Sequence, residues 1–227
     1  MAAGEGSRLR PLTERWPKSV LPIDGRPVLA VLLRELAAAG CERVWLVTGH
    51  LAEQVEALAG DGSAFGVEIR PVHQPGVLGS ADAVQRALDA GAELPALVSA
   101  ADTVFTTGDV GRFAAAFGAS GAAGAIALRT DPGAGGDRKA VQRKGEAILR
   151  VRDDDPAGVW TPAPLWGLGA SVAARLCVDA PPHELGNAYQ AAIDAGERVL
   201  AVEIGETRDL TYPLDLVEQN FSYLRSI

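Results

Sequence analysis

The chain has 227 residues, 48% of them hydrophobic and 22% charged, with a formal net charge of −8. That length supports a proper core in one large domain or two small ones, and the acidic balance argues against general nucleic-acid binding, which wants a basic face. No apolar run nears the ~20 residues that cross a bilayer, the opening residues lack the apolar run behind positive charge of a signal peptide, so none is expected, and Cys41 and Cys177 lack disulfide or metal spacing, which fits a reducing cytoplasm.

The chain opens with MAAGEGSRLRPLTERWPKSVLPI. Gly4 and Gly6 allow successive N–H groups to turn toward one point, an anion nest. Arg8 adds a planar fork of donors and Lys18 a mobile charge, a combination suited to a triphosphate. The pattern is not the dinucleotide fingerprint, because position 9 is Leu9 and the next strand ends on Gly49-His50 rather than on an acid. By itself the loop reads equally well as a frayed terminus.

The spacing of Leu29, Leu32, Leu33 and Leu36 predicts a helix over 28–40, stopped by Gly40. Residues 43–50 read as a buried strand, 51–60 as a helix and 65–74 as a strand. Residues 80–91 form a helix stopped by Gly91, and 95–102 an apolar strand ending in Asp102. A helix over 110–121 and a strand over 123–130 follow. This alternation predicts an α/β fold, a doubly wound, mostly parallel, Rossmann-like sheet. Past 130 the rhythm changes. Residues 131–138 read as a loop and 139–154 as a hairpin about Lys144-Gly145. A strand and short helix cover 164–176, then come a helix over 183–197, a strand over 199–205 and a helix over 213–224. The second half is an antiparallel elaboration of one domain, 1–227. Ligands of such sheets sit at the carboxyl ends of strands, where the opening loop, Gly49, Gln74 and Asp102 fall.

The string AAGEGSRLRPLTERWPKSVLPIDGRPVL resembles the signature of the sugar-phosphate nucleotidylyltransferases. VTGHLAEQVEAL, LGSADAV, Asp102 and the closing RDLTYPLDL extend the likeness over most of the chain. The resemblance implies a nucleotide-binding half, 1–130, and an acceptor-binding half, 131–227. It implies transfer of a nucleoside monophosphate from an NTP to a small phosphorylated acceptor, foremost a sugar 1-phosphate. By resemblance, Arg8 and Lys18 are catalytic, and Ala3, Gly4, Gly6, Gln74 and Gly79 meet the nucleotide. Asp102 and Asp209 hold Mg²⁺, and Trp166 and Gly167 stand on the acceptor side. The partners so implied are small molecules, without nucleic acid or membrane, and a homo-oligomer is left open.

Plainer readings stand beside these. Asp102 could cap a helix, Asp209 could be a loop carboxylate and Gln74 a polar strand end. His50, His73 and His183 read as surface or packing residues, Asp153–Asp155 as a solvated loop, and Trp160 and Trp166 as packing aromatics. The family's acceptor-phosphate lysine has no counterpart in DDDPAGVWTPAPLWGLG, where Arg152 is the nearest cation. A cytidylyltransferase for a phosphorylated alcohol such as phosphocholine, and a non-catalytic sugar-nucleotide-binding module, are the alternatives. The family's strand before AAG is almost wholly missing here. That motivates two expectations: that the natural chain extends upstream of Met1, and that strands 43–47 and 96–100 either flank a gap or have at most residues 1–3 between them.

Overall fold

A computed structural model of the chain describes residues 1–130, 140–153, 159–179 and 183–225. The loop read at 131–138, and Asp154 and Asp155 of the acidic run, lie outside the described residues. The chain forms two compact units. One comprises Met1–Val77, Ala100–Gly111 and Thr207–Ile227, the other Leu78–Ser99 and Arg112–Glu206. Each unit thus draws on segments from both sides of residue 130.

In the first unit, the helix Val28–Ala38 buries Leu29, Leu32, Leu33 and Leu36, the stripe its sequence spacing predicts. It ends in a Schellman motif: Gly40 N–H donates to Ala37 and Cys41 N–H to Leu36. Gly40 sits at φ +86, a conformation that glycine adopts without a Cβ clash. The parallel strands Arg43–Thr48 and Glu68–His73 are joined through the helix Ala52–Ala59, a crossover unit. Leu9, Leu21, Ile23, Val28, Val104 and Leu210 form one buried cluster. Opening loop, first helix and closing segment therefore share a core. The helix Pro213–Arg225 lays Leu216 on that cluster, and its Asn220 clamps the turn at Gly25, accepting from Gly25 N–H and donating to the Pro22 carbonyl.

Residues 1–3 continue this unit. Ala2 N–H donates to the Val47 carbonyl at 2.7 Å, His50 N–H to the Ala3 carbonyl at 3.4 Å, and Ala101 N–H to the Met1 carbonyl at 2.9 Å. Met1–Ala3 is thus held by the end of one strand on one side and by Ala101 on the other.

The second unit holds a six-stranded sheet in the order Ala96–Ser99, Trp160–Leu168, Gly124–Thr130, Val199–Glu203, Ala147–Asp153, Ala140–Lys144. Only the Gly124–Thr130 and Val199–Glu203 pair is parallel. The hairpin predicted about Lys144-Gly145 is present. The α/β class holds, while Ala96–Ser99 takes an antiparallel partner in Trp160–Leu168. Among the described residues no helix is long and apolar enough to cross a membrane.

The buried Tyr189 ties the helix Leu185–Asp194 to this sheet. Its hydroxyl donates to the Gly167 carbonyl at 2.8 Å, and burial pushes its phenol well above the usual range. Tyr189→Phe removes that bond and should cost about 0.5–1.5 kcal/mol, read as a lower urea midpoint. An unchanged midpoint would show that the bond contributes nothing.

Candidate functional site

The opening loop is tightly specified. Gly6 stands at φ +61, and a Cβ there would lie 3.0 Å from Thr13 Cγ2 and 3.5 Å from Lys18 Cβ. Both its backbone conformation and its surroundings require glycine. The Gly6 carbonyl accepts from Leu9 N–H and from the Thr13 hydroxyl, each at 2.9 Å. Gly4 is exposed with open space around its α-carbon. Arg8 is exposed in the turn Ser7–Leu9, with no ion pair among the described residues. Arg10, by contrast, is paired with Glu5 at 3.2 Å. Of Arg8 and Arg10, Arg8 is the one at liberty to meet an anion.

Lys18 closes the loop from below the turn. Its Nζ lies 2.5 Å from Asp102 Oδ2, with side chains 18% and 31% exposed. Asp102 sits in the turn before the short strand Thr103–Val104, so the helix-cap reading of it falls away. Thr103–Val104 pairs antiparallel with Arg208–Asp209, which sets Asp209 opposite Thr103, one residue from Asp102. The chain folds back from residue 209 to residue 102 to bring one carboxylate onto this ladder and the other beside it. Thr103 donates to Asp102 and Thr211 to Asp209, at 3.4 and 3.5 Å. Asp215 is spent otherwise: it accepts from Thr211 N–H and Tyr212 N–H and fixes the start of the last helix. The Met1 amine is buried, and burial pushes it down to about 6 against the pull of Asp102.

The donor set matters for a metal. No group of three His, Cys, Asp or Glu suited to a metal occurs among the described residues. Two carboxylates with hard oxygens, and no protein cage, suit an ion that completes its shell with water and phosphate, as Mg²⁺ does.

The remaining candidates divide between the units. Ala3 and Gln74 are buried and meet at Gly49, where an added Cβ would lie 2.9 Å from the Ala3 carbonyl oxygen and 3.1 Å from that of Gln74. Gly79, in the second unit, opens the helix Ser80–Asp89 and lies against His183, whose carbonyl oxygen would be 2.5 Å from a Cβ. Trp166 and Gly167, adjacent on one strand, point to opposite faces of the sheet. The Trp166 ring packs on Tyr189, centroids 5.0 Å apart. Phe117 covers Gly167, its Cδ1 only 2.5 Å from where a Cβ would stand.

Two residues escaped the sequence reading. Thr13 fixes Gly6, and His50 lies with Nε2 2.8 Å from the Thr13 carbonyl oxygen. A signal was there: His50 lies just past a strand's carboxyl end, after Gly49, where ligand loops gather.

Comparison with known proteins matches residues 1–133 to the nucleotidyl transferase family, and the chain belongs to that family. It is 40% identical over 90 residues to the low-salt glycan biosynthesis nucleotidyltransferase Agl11 of Haloferax volcanii, 39% of this chain and 25% of that one. It is 46% identical over 80 residues to the mannose-1-phosphate guanylyltransferase of Mycobacterium tuberculosis, 35% of this chain and 22% of that one. The chain thus matches a quarter or less of the length of these relatives. Its fold is that of the UDP-glucose pyrophosphorylase of Acinetobacter baumannii, with a TM-score of 0.80 at 21% identity, over 98% of this chain and 90% of that one.

Gly49→Ala forces apart two backbone segments that meet at its α-carbon. It should cost about 1–3 kcal/mol, the range of an overpacked core, and lower the melting temperature. Unchanged melting would show that these segments yield freely.

Proposed function

We propose that the chain moves a nucleoside monophosphate from an NTP onto a sugar 1-phosphate and releases pyrophosphate. The observation that carries this reading is the Lys18–Asp102 pair beside the Gly6 turn, in the same unit as the unpaired Arg8. Mobile cation, carboxylate and open backbone belong to one sequence-specified loop and its ladder.

The chemistry needs no protein nucleophile. An oxygen of the acceptor phosphate attacks the α-phosphorus in line, and the bond to the β-phosphate oxygen breaks with its electrons leaving on pyrophosphate. The protein must bring two anions together and neutralise them. Arg8 and Lys18 supply that charge, and the backbone at Ala3, Gly4 and Gly6 faces the nucleotide. Gln74, in the same unit, is assigned to the base edge. Mg²⁺, held by Asp102 and Asp209, would neutralise phosphate oxygens as a Lewis acid. Trp166 is the acceptor-side candidate, half-buried on its strand, whereas Gly167 is placed to admit the Phe117 ring. Cys41 and Cys177 are both free, in keeping with a reducing cytoplasm.

A pyrophosphate-release screen tests this: ATP, CTP, GTP, UTP and dTTP against a panel of sugar 1-phosphates, with phosphocholine as comparison. Release that depends on a sugar 1-phosphate supports the reading. Release with phosphocholine alone moves it to a phosphorylated alcohol, and no release with any pair contradicts it. In the active pair, Lys18→Ala should lower kcat by about 10²–10³, the loss that follows removal of one transition-state donor. Its stability should fall by less than about 1 kcal/mol, since the ion pair is partly exposed.

A further inference from the structure

We propose that His50 is a positioning residue for the nucleotide loop: a strap that holds residues 3–13 in their anion-binding shape. The inference rests on the function proposed above. His50 grips the loop at both ends. Its backbone N–H donates to the Ala3 carbonyl at 3.4 Å, and its ring Nε2 donates to the Thr13 carbonyl at 2.8 Å. A carbonyl oxygen only accepts, so Nε2 carries the proton, and neutral and charged rings both keep that donor.

Thr13 passes the constraint inward. It is 1% exposed, its hydroxyl donates to the Gly6 carbonyl, and that carbonyl also takes Leu9 N–H. His50, Thr13, Gly6 and Leu9 thus form one connected chain of bonds across the turn that carries Arg8. A second tie runs parallel: the Gln54 side-chain amide, four residues on, donates to the Arg15 carbonyl at 2.9 Å. The segment that supplies both ties bends sharply, because Leu51 lies at φ +51. A leucine is disfavoured in that region, and such conformations persist where the surroundings impose them. A Gly-rich loop without the strap would sample many shapes. Held in one shape, it meets a triphosphate without first losing that freedom.

The test uses His50→Ala, His50→Gln and Thr13→Val in the full chain. Binding of UTP, dTTP, GTP, CTP and ATP is measured by calorimetry with Mg²⁺. Amide hydrogen exchange over residues 3–13 is measured with no nucleotide. His50→Ala should weaken binding of the preferred triphosphate about tenfold, the loss of one hydrogen bond's worth of affinity, and speed exchange in the loop. His50→Gln, whose amide can still donate to the Thr13 carbonyl, should recover both. Thr13→Val should repeat the His50→Ala effect and add little to it in combination, because the two act through one network. The KM for the sugar 1-phosphate should stay unchanged in all three. Faster exchange with unchanged nucleotide affinity overturns the positioning role alone, and unchanged exchange overturns the strap. A wild-type chain that binds none of the five triphosphates overturns the functional reading and the positioning role with it. That failure is distinguishable, because exchange is read without ligand.

Discussion

The contact between Lys18 and Asp102 is the interaction on which the candidate site depends. By the standards of folding it is weak: a partly exposed pair is worth about 0–1 kcal/mol. Its importance is positional. It joins the opening loop, through Lys18, to the turn before Thr103–Val104. That short strand in turn recruits Arg208–Asp209 from the far end of the chain. A cation and two carboxylates are so arranged around one ladder. Opposed charges of this kind fit a site that must accept both a polyanion and a cation.

The rest of the first unit serves to keep that arrangement in place. The shared core of Leu9, Val28, Val104 and Leu210 fixes the loop, the first helix and the closing segment to one another. Asn220 and Asp215 immobilise the turn at Gly25 and the start of the last helix. An ion pair, Arg208 with Asp24, adds a further link beside the ladder. Polar side chains near the site are committed to one another, as Lys18 is to Asp102, or to backbone groups, as Thr13 is to Gly6, and Arg8 and Gly4 are left exposed. A loop held in this way loses little further freedom on binding.

Much of this was legible in the sequence because it is local. Helix stripes and their terminal glycines obey short-range rules, and the helix Val28–Ala38, stopped by Gly40, follows them with the start and buried stripe read from its spacing. The dense opening motif singled out Gly6 and Lys18 through the likeness of its whole string, and a later stretch of the same likeness singled out Asp102. What was not legible depends on distant partners. Nothing in ALVS states that it pairs antiparallel with the strand after 160. Trp166 and Gly167 face opposite ways on one strand, and the ring of Phe117 packed over Gly167 is a distant partner that the letters do not show. His50 read as a surface or packing histidine because its partner is a backbone carbonyl, and a carbonyl leaves no mark in the residue letters.

The account makes Asp102 the carboxylate through which a metal reaches the triphosphate, with Lys18 as its neighbour. The most direct measurement is calorimetric binding of the preferred nucleoside triphosphate, with Mg²⁺ and with EDTA, to the wild type and to Asp102→Asn. The account predicts that Mg²⁺ strengthens binding to the wild type and that Asp102→Asn loses this dependence. An equal gain from Mg²⁺ in both proteins would contradict it.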